Sequence, residues 1–401
     1  MKRVITQNTH DLLEQKNKFK YESNKVGIIS FYKYSTLNYG AVLHPFAFQK
    51  YLNKNKVNNV IIEYIGRHFK YRLPYSPLVA AIKYGYGLKG FIAAILRQLI
   101  VIIRIKKIFY FCRKYVKSIN NNGKAFTQTY FEKNKEISCF DFETIICESD
   151  VIWSPITNHG FDRTFFADYE CFKNMKKVAY APSISNTILT KEQEKEFKKL
   201  VENFDFISSR ENKTAEYIQN LTGKECPHVL DPTLLLDEND YTSITAKINE
   251  KKKYLLCYNC EVNDRVMLMK AKALAKKMNL AFIEISLFIQ NKIRHRTLAT
   301  LGIEEWLGYF KNAEFIVTNG YHGMCFSIIF KKNFYTFPRD GIDLKLKNII
   351  SVFDLERNFV NDDRELTPIT INYDKVYEKL YQNRMQSMDF INYAINSKNI
   401  V

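Results

Sequence analysis

Short apolar runs rich in β-branched and aromatic residues recur along the chain, bounded by Gly, Pro, Asn or Asp. VGIISF (26–31), NVIIEYI (59–65), TIICESDVIW (144–153), KKVAYAPS (176–183), DFISSRE (205–211) and HVLDPTLLL (228–236) read as strands. Between them, apolar residues return at helical spacing over 41–53, 191–204 and 213–223. A polar joint, DENDYTSITAKINEKK (237–252), separates this series from a second one. There the strands are YLLCYN (254–259), AFIEISL (281–287), EFIVTN (314–319) and NFYTFP (333–338), and closing helices are expected over 373–398. Alternation of this kind predicts the α/β class, with mostly parallel sheets covered by helices on both faces. Two series predict two Rossmann-like domains facing across a cleft, 25–240 and 241–401, after a polar N-terminal extension, 1–24.

Charge changes this picture. The 401 residues carry a net +18, so anionic partners are expected. Between Glu63 and Glu132 there is no acidic residue, and thirteen Lys and Arg fall in that window. Its middle, 83–117, alternates aliphatic patches with single cations. On a helix, Lys89, Arg97, Arg104, Lys107 and Lys114 share an arc of about 100°, with Lys106 and Arg113 opposite. An interfacial helix on an anionic membrane fits this pattern, and so does a core helix with snorkelling cations. Nucleic acid is not expected, because the interleaved residues are aliphatic rather than stacking aromatics.

Eight cysteines lie at irregular spacings, mostly in apolar runs, as reduced buried thiols do. Cys257-Tyr-Asn-Cys260 lacks a second ligand pair, so no zinc or redox site is expected there. The first residues contain no apolar stretch of a secretory signal, and no run of 18 apolar residues is present. A cytoplasmic protein is expected.

Ligands of open α/β sheets bind beyond the carboxyl ends of the strands. In the first domain those ends carry Asn38-Tyr39-Gly40, then Glu148-Ser149-Asp150 with Trp153, Arg210 with Glu211, and Asp231-Pro232. In the second they carry Asn319-Gly320-Tyr321-His322-Gly323 and Pro338-Arg339. Singly each is a weak signal: Arg210 could pair with Glu211, His322 could be structural, and Asp231-Pro232 could be a turn. Together they aim one arginine and one histidine at a shared cleft. An Arg fork suits phosphate or carboxylate, and an imidazole suits proton transfer near neutrality.

NYGAVL, ESDVIW, VAYAPS, SSRE, VLDPTLLL, EEWLGYFKNAEFIVTNGYHG and FSIIF occur in that order between Val26 and Asp354. In these motifs the chain resembles the polysaccharide pyruvyl transferase family. The resemblance implies a GT-B-like two-domain fold and transfer of the enolpyruvyl unit of phosphoenolpyruvate onto a sugar as a cyclic ketal. The family's histidine and arginine map onto His322 and Arg210. Glu148 stands where the family often has Gly, and Tyr321 where it often has Phe, which leaves the acceptor sugar open.

On that basis phosphoenolpyruvate is the expected co-substrate, with no other cofactor and no metal. Arg210, Asn319, Gly320, Gly323 and Arg339 are expected to hold the donor, with His322 as general acid and Asp150 as candidate base. Asn38, Tyr39, Glu148 and Trp153 are expected on the acceptor side. The acceptor implied is a lipid-linked oligosaccharide ending in a hexose such as galactose, ketalised at its 4- and 6-hydroxyls. The enzyme would then be peripheral at the inner face of the membrane. Two other readings stay open: a GT-B glycosyltransferase using a nucleotide sugar, with Glu284 a weak ribose-binding candidate, and a non-catalytic membrane-associated scaffold.

Overall fold

The computed structural model describes residues 25–33, 38–66, 87–137, 140–185, 188–260, 264–287, 295–339 and 343–397. The N-terminal extension 1–24 lies outside them, as do Arg67, Lys70, Arg72 and Lys83 of the basic window.

Six strands form the first sheet: β1 (Lys25–Ser30), β2 (Asn58–Ile62), β3 (Ser118–Ile119), β4 (Thr144–Glu148), β5 (Lys176–Tyr180) and β6 (Phe206–Ile207). Their order is β3-β2-β1-β4-β5-β6, with every pair parallel. The second sheet holds β7 (Tyr254–Asn259), β8 (Ala281–Ser286), β9 (Thr297–Leu298), β10 (Phe315–Thr318) and β11 (Asn333–Thr336). Its order is β11-β10-β7-β8-β9, again all parallel. β4, β5, β7 and β10 are buried at every residue, as continuous apolar strands covered on both faces must be. The strand order reverses beside β1 and β4 in one sheet and beside β7 and β10 in the other. These two switch points face each other, in the GT-B arrangement of two Rossmann-like domains about one cleft.

HVLDPTLLL is not the expected strand. It makes one bridge, His228 to Ser209, and then turns into a short 3-10 helix at Pro232–Leu235. Pro232 has no N–H to give a ladder, and the Asp231 carboxylate caps the turn by accepting from the Thr233 amide at 3.0 Å. The two-residue strands β3 and β9 were too short to show a period.

Six helices bear on the site. α1 (Gly40–Lys54) follows β1, and its residues 40 to 49 are all buried. A helix apolar all round is an interior helix, and this one lies between its own sheet and the second domain. α2 (Leu88–Tyr115) is the basic amphipathic segment. It springs from the first domain and packs on α3 (Ile303–Asn312) of the second. Arg104 Nη2 donates to the Leu287 carbonyl at 3.1 Å, and Lys107 pairs with Glu305 at 2.6 Å. The expected cationic edge is therefore mostly turned inward: Arg97, Arg104 and Lys107 lie toward the protein, whereas Lys114 of the same edge and Lys106 and Arg113 opposite are exposed.

α4 (Tyr321–Ile329) starts two residues after β10, and α5 (Asp343–Val352) follows β11. α6 (Tyr373–Asn396) begins on the second domain, where Tyr377 Oη donates to the Ile329 carbonyl. It ends on the first, where Lys176 Nζ donates to the carbonyls of Ile395 and Ser397. The helix that the sequence assigns to the second domain thus straps both together.

Candidate active site

Both switch points open onto one cavity of about 310 Å³. Its first-domain wall is Asn38 after β1, Asp150, Val151, Ser154, Ile156 and Thr157 after β4, and Ser185 after β5. Its second-domain wall is Tyr258 and Cys260 at the end of β7, Gly320, Tyr321 and His322 after β10, and Arg339 and Lys345 after β11. His322, Asp150, Arg339, Asn38 and Gly320 are therefore brought together as expected.

His322 is almost fully buried in the first turn of α4. Its ring packs on the first-domain helix α1. A Cβ on Gly40 would lie 2.0 Å from His322 Nδ1, so only glycine leaves room for the imidazole. One helical turn later, at i+4, His44 presents its ring to His322, with centroids 6.0 Å apart and planes 13° apart. His44 Nδ1 lies 2.9 Å from Glu148 Oε1. Neither imidazole Nε2 has a hydrogen-bond partner among the described residues. His322 Nε2 stands 3.6 Å from Asp231 Oδ2, and His44 Nε2 stands 3.9 Å from Asp150 Oδ2. Both gaps lie just beyond hydrogen-bond length, and the first of them spans the two domains.

The surrounding charges are dense. Arg210, buried at the end of β6, donates to Asp231 at 2.8 Å, Asp150 at 3.3 Å and Glu211 at 3.4 Å. Its guanidinium lies 4.4 Å from the centre of the Tyr321 ring, which comes from the other domain. Burial works against the charges of Asp150 and Asp231. Arg210, Lys345 and the histidines nonetheless hold Asp150 below the ordinary carboxylate range. His322, then Arg210 and His44, do the same for Asp231. Burial likewise opposes a proton on His44, but Glu148, with Asp150 and Asp231, pushes its pKa up. Lys345 moves the other way: burial, then Arg210, lowers it to about 8. Its Nζ is 4.0 Å from Asp150 Oδ1.

Several expected roles change with this geometry. Arg210 does not line the cavity, because its fork is taken up by three carboxylates behind the cavity wall. It orients Asp150 and Asp231, and Lys345 and Arg339 are the cations that reach the space. The Gly320 amide donates to Thr318 Oγ1 at 3.0 Å, so it is occupied. A Cβ at Gly323 would lie 2.3 Å from the same oxygen, so this glycine serves helix–strand packing. Asn319 bonds the Cys260 amide, Asn259 and Asp264, and acts as a clamp between the ends of β7 and β10.

On the acceptor side, Trp153 is in the first-domain core, stacked on Phe166 and donating to the Phe165 carbonyl. Tyr39 stacks on Trp306 across the domain seam with centroids 5.6 Å apart. Glu148 is fully buried against His44. Glu284 is held by His295, Asn259 and Thr297, so the ribose candidate of the nucleotide-sugar reading is spent inside the second domain.

The sequence did not single out His44, Lys345 or the hydroxyls of Ser154, Thr157 and Ser185. A Gly-x-x-x-His spacing on the helix after β1 was the one local sign of His44.

Facing parallel sheets with a charged, imidazole-bearing cavity at their joint switch points define a GT-B-type protein with an interdomain centre. The chain belongs to the polysaccharide pyruvyl transferase family, whose model matches residues 38–341. No curated protein matches it. Among solved structures it is similar to a candidate UDP-N-acetylglucosamine 2-epimerase from Listeria monocytogenes, at 8 % identity over 94 % of this chain and 92 % of that one, with a TM-score of 0.47. It is also similar to a UDP-GlcNAc 2-epimerase from Neisseria meningitidis, at 7 % identity, 94 % and 95 % coverage and a TM-score of 0.44. A UDP-GlcNAc 2-epimerase from Methanocaldococcus jannaschii gives 10 % identity, 94 % coverage of each chain and a TM-score of 0.42.

Proposed function

We propose that the chain transfers the enolpyruvyl unit of phosphoenolpyruvate onto two hydroxyls of a sugar in a polysaccharide precursor, forming a cyclic ketal and releasing phosphate. The observation that carries this reading is the set of groups sharing the cavity: two cations, Lys345 and Arg339, with His322 from the second domain, and the Asp150 carboxylate with three hydroxyls from the first. Phosphoenolpyruvate holds a phosphate and a carboxylate close together, which suits Lys345 and Arg339. Ser154, Thr157 and Ser185, beside the apolar Ile156, suit a sugar ring with its hydroxyls.

In this reading His322 gives a proton to the donor methylene, which becomes a methyl group, and C2 takes on oxocarbenium character. One sugar hydroxyl adds to C2 and loses its proton to the cluster, which restores His322. The C2–O bond to phosphate then breaks, and the second hydroxyl closes the ring, its proton leaving with the phosphate. Asp150, held so far below its usual range, is a weak base while Lys345 and Arg210 both face it. A donor phosphate on Lys345 would neutralise that cation and make Asp150 more basic, so donor binding before the acceptor prepares the site.

The acceptor is read as a hexose such as galactose, ketalised at its 4- and 6-hydroxyls and carried on a membrane lipid at the inner face. The test is phosphate release from phosphoenolpyruvate with lipid-linked hexose acceptors. Wild type should show acceptor-dependent release, and His322→Ala should lose about 10²–10⁴ in rate. Release by both proteins would remove His322 from the chemistry. No release with any acceptor would refute the donor.

A further inference from the structure

Of the fourteen large apolar side chains exposed among the described residues, eight lie on α2. Leu88, at 77 % exposure, Leu96, at 57 %, and Leu99, at 51 %, are the barest of them after Tyr110's neighbourhood is set aside. At 100° per residue these three share an arc of about 100° with Ile92, Ile95 and Ile103. The arc does not end there. Lys106 and Arg113 continue it toward the C-terminus of the helix, both exposed, while Lys114 at its edge pairs with Glu304 of α3 at 4.0 Å. The outer face of α2 is thus apolar for about 22 Å, from Leu88 to Ile103 at about 1.5 Å per residue, and then basic. Its inner face is anchored through Arg104, Ile108 and Phe111, all buried.

We propose that the outer face of α2 is a docking surface for an anionic lipid bilayer, with its apolar half sunk among the acyl chains and its basic half among the headgroups. Charge favours lipid over a second copy of the chain. No acidic residue occurs from 64 to 131, so α2 of a second copy would bring more cations and no carboxylate of its own to meet Lys106 and Arg113. Length favours lying on the surface over spanning it, since no helix among the described residues is long and apolar enough to cross a membrane. On its other side α2 packs on α1, the helix that carries Gly40 and His44, so the docked surface is one helix layer from the cavity. The binding itself does not depend on the reaction proposed above; its purpose, delivery of a lipid-borne acceptor, rests on that reading.

The test sediments the full chain with vesicles of phosphatidylcholine and phosphatidylglycerol, and with phosphatidylcholine alone. Wild type should prefer the anionic vesicles and release from them as salt rises. Replacing Lys106 and Arg113 by Ser should weaken binding about fivefold per charge. Leu96→Glu with Leu99→Glu should weaken it more than about tenfold. Both sites are exposed, so unchanged melting and unchanged phosphate release on a short soluble acceptor are expected, which separates a failure of docking from a failure of the proposed reaction. Wild type that ignores anionic vesicles, or binding unaltered in the Leu96 and Leu99 variant, overturns the proposal. So does self-association that the same variant abolishes without any vesicle binding, which would assign the face to a second copy.

Discussion

Gly40→Ala tests whether His322 works where α1 holds it. The added Cβ would stand 2.0 Å from Nδ1 and 2.1 Å from Cγ of the imidazole, whereas ordinary contact begins at 3.4 Å. The ring must therefore recede by about 1.4 Å, or α1 must shift and carry His44 with it. Such a displacement of a reacting group costs on the order of 10²-fold in rate. The effect on stability is smaller. Overpacking costs about 1–3 kcal/mol, and replacing glycine in a helix returns up to about 1 kcal/mol. Acceptor-dependent phosphate release should thus fall about a hundredfold in a protein that melts within several degrees of wild type. A companion measurement of the His322 ring resonances by NMR should show a changed environment in the folded variant. Activity within threefold of wild type, with the clash in place, would refute the claim that the ring's seat on Gly40 matters to the chemistry.

Glu148→Gln leaves His44 Nδ1 a partner of the same size and removes the charge. The pKa of His44 is raised above the ordinary 6.5 by Glu148, so the stability this gives is fully present below that value. It is lost as pH rises through the folded-state value. The variant should be less stable than wild type by about 1–3 kcal/mol near pH 6, and denaturant titrations should show the gap narrowing at higher pH. A gap that stays constant would mean His44 is neutral throughout. Lys345 should lose its proton near pH 8, so the KM for phosphoenolpyruvate should climb above that pH in wild type. Lys345→Gln should raise KM about tenfold at neutral pH and flatten the climb; an unchanged pH dependence would remove Lys345 from donor binding.

Much of the architecture could be read from alternating patterns, because buried parallel strands are apolar throughout and their ends are marked by Gly, Asn and Asp. The approach of His322 to the cleft was legible for the same reason: it follows β10 at once. What sequence could not show is which partners converge on a group from distant loops. Arg210 meets Asp150, Asp231 and Glu211 from three separate chain segments, and those contacts turn an apparent anion fork inward. His44 sits in an apolar helix, and its Glu148 partner is 104 residues away. Trp153 was expected on the acceptor side at a strand end, but a turn after Asp150 carries it into the core beside Phe166. For α2 the helical arithmetic was sound. Only the packing of Arg104 and Lys107 on the second domain decided which arc faced inward.

The division of the proton-handling groups between domains has a kinetic consequence. His322 and Tyr321 belong to one domain, while Gly40, His44, Asp150, Arg210 and Asp231 belong to the other. Parting the domains takes the imidazole off its glycine seat, its ring neighbour and its carboxylate in a single movement. In the proposed reaction, a donor captured by an open molecule would be chemically idle, safe from wasteful protonation until the two halves met. Were that meeting the slow step, side chains remote from the reacting atoms, such as the stacked Tyr39 and Trp306 at the seam, would set the pace of the reaction without touching either substrate.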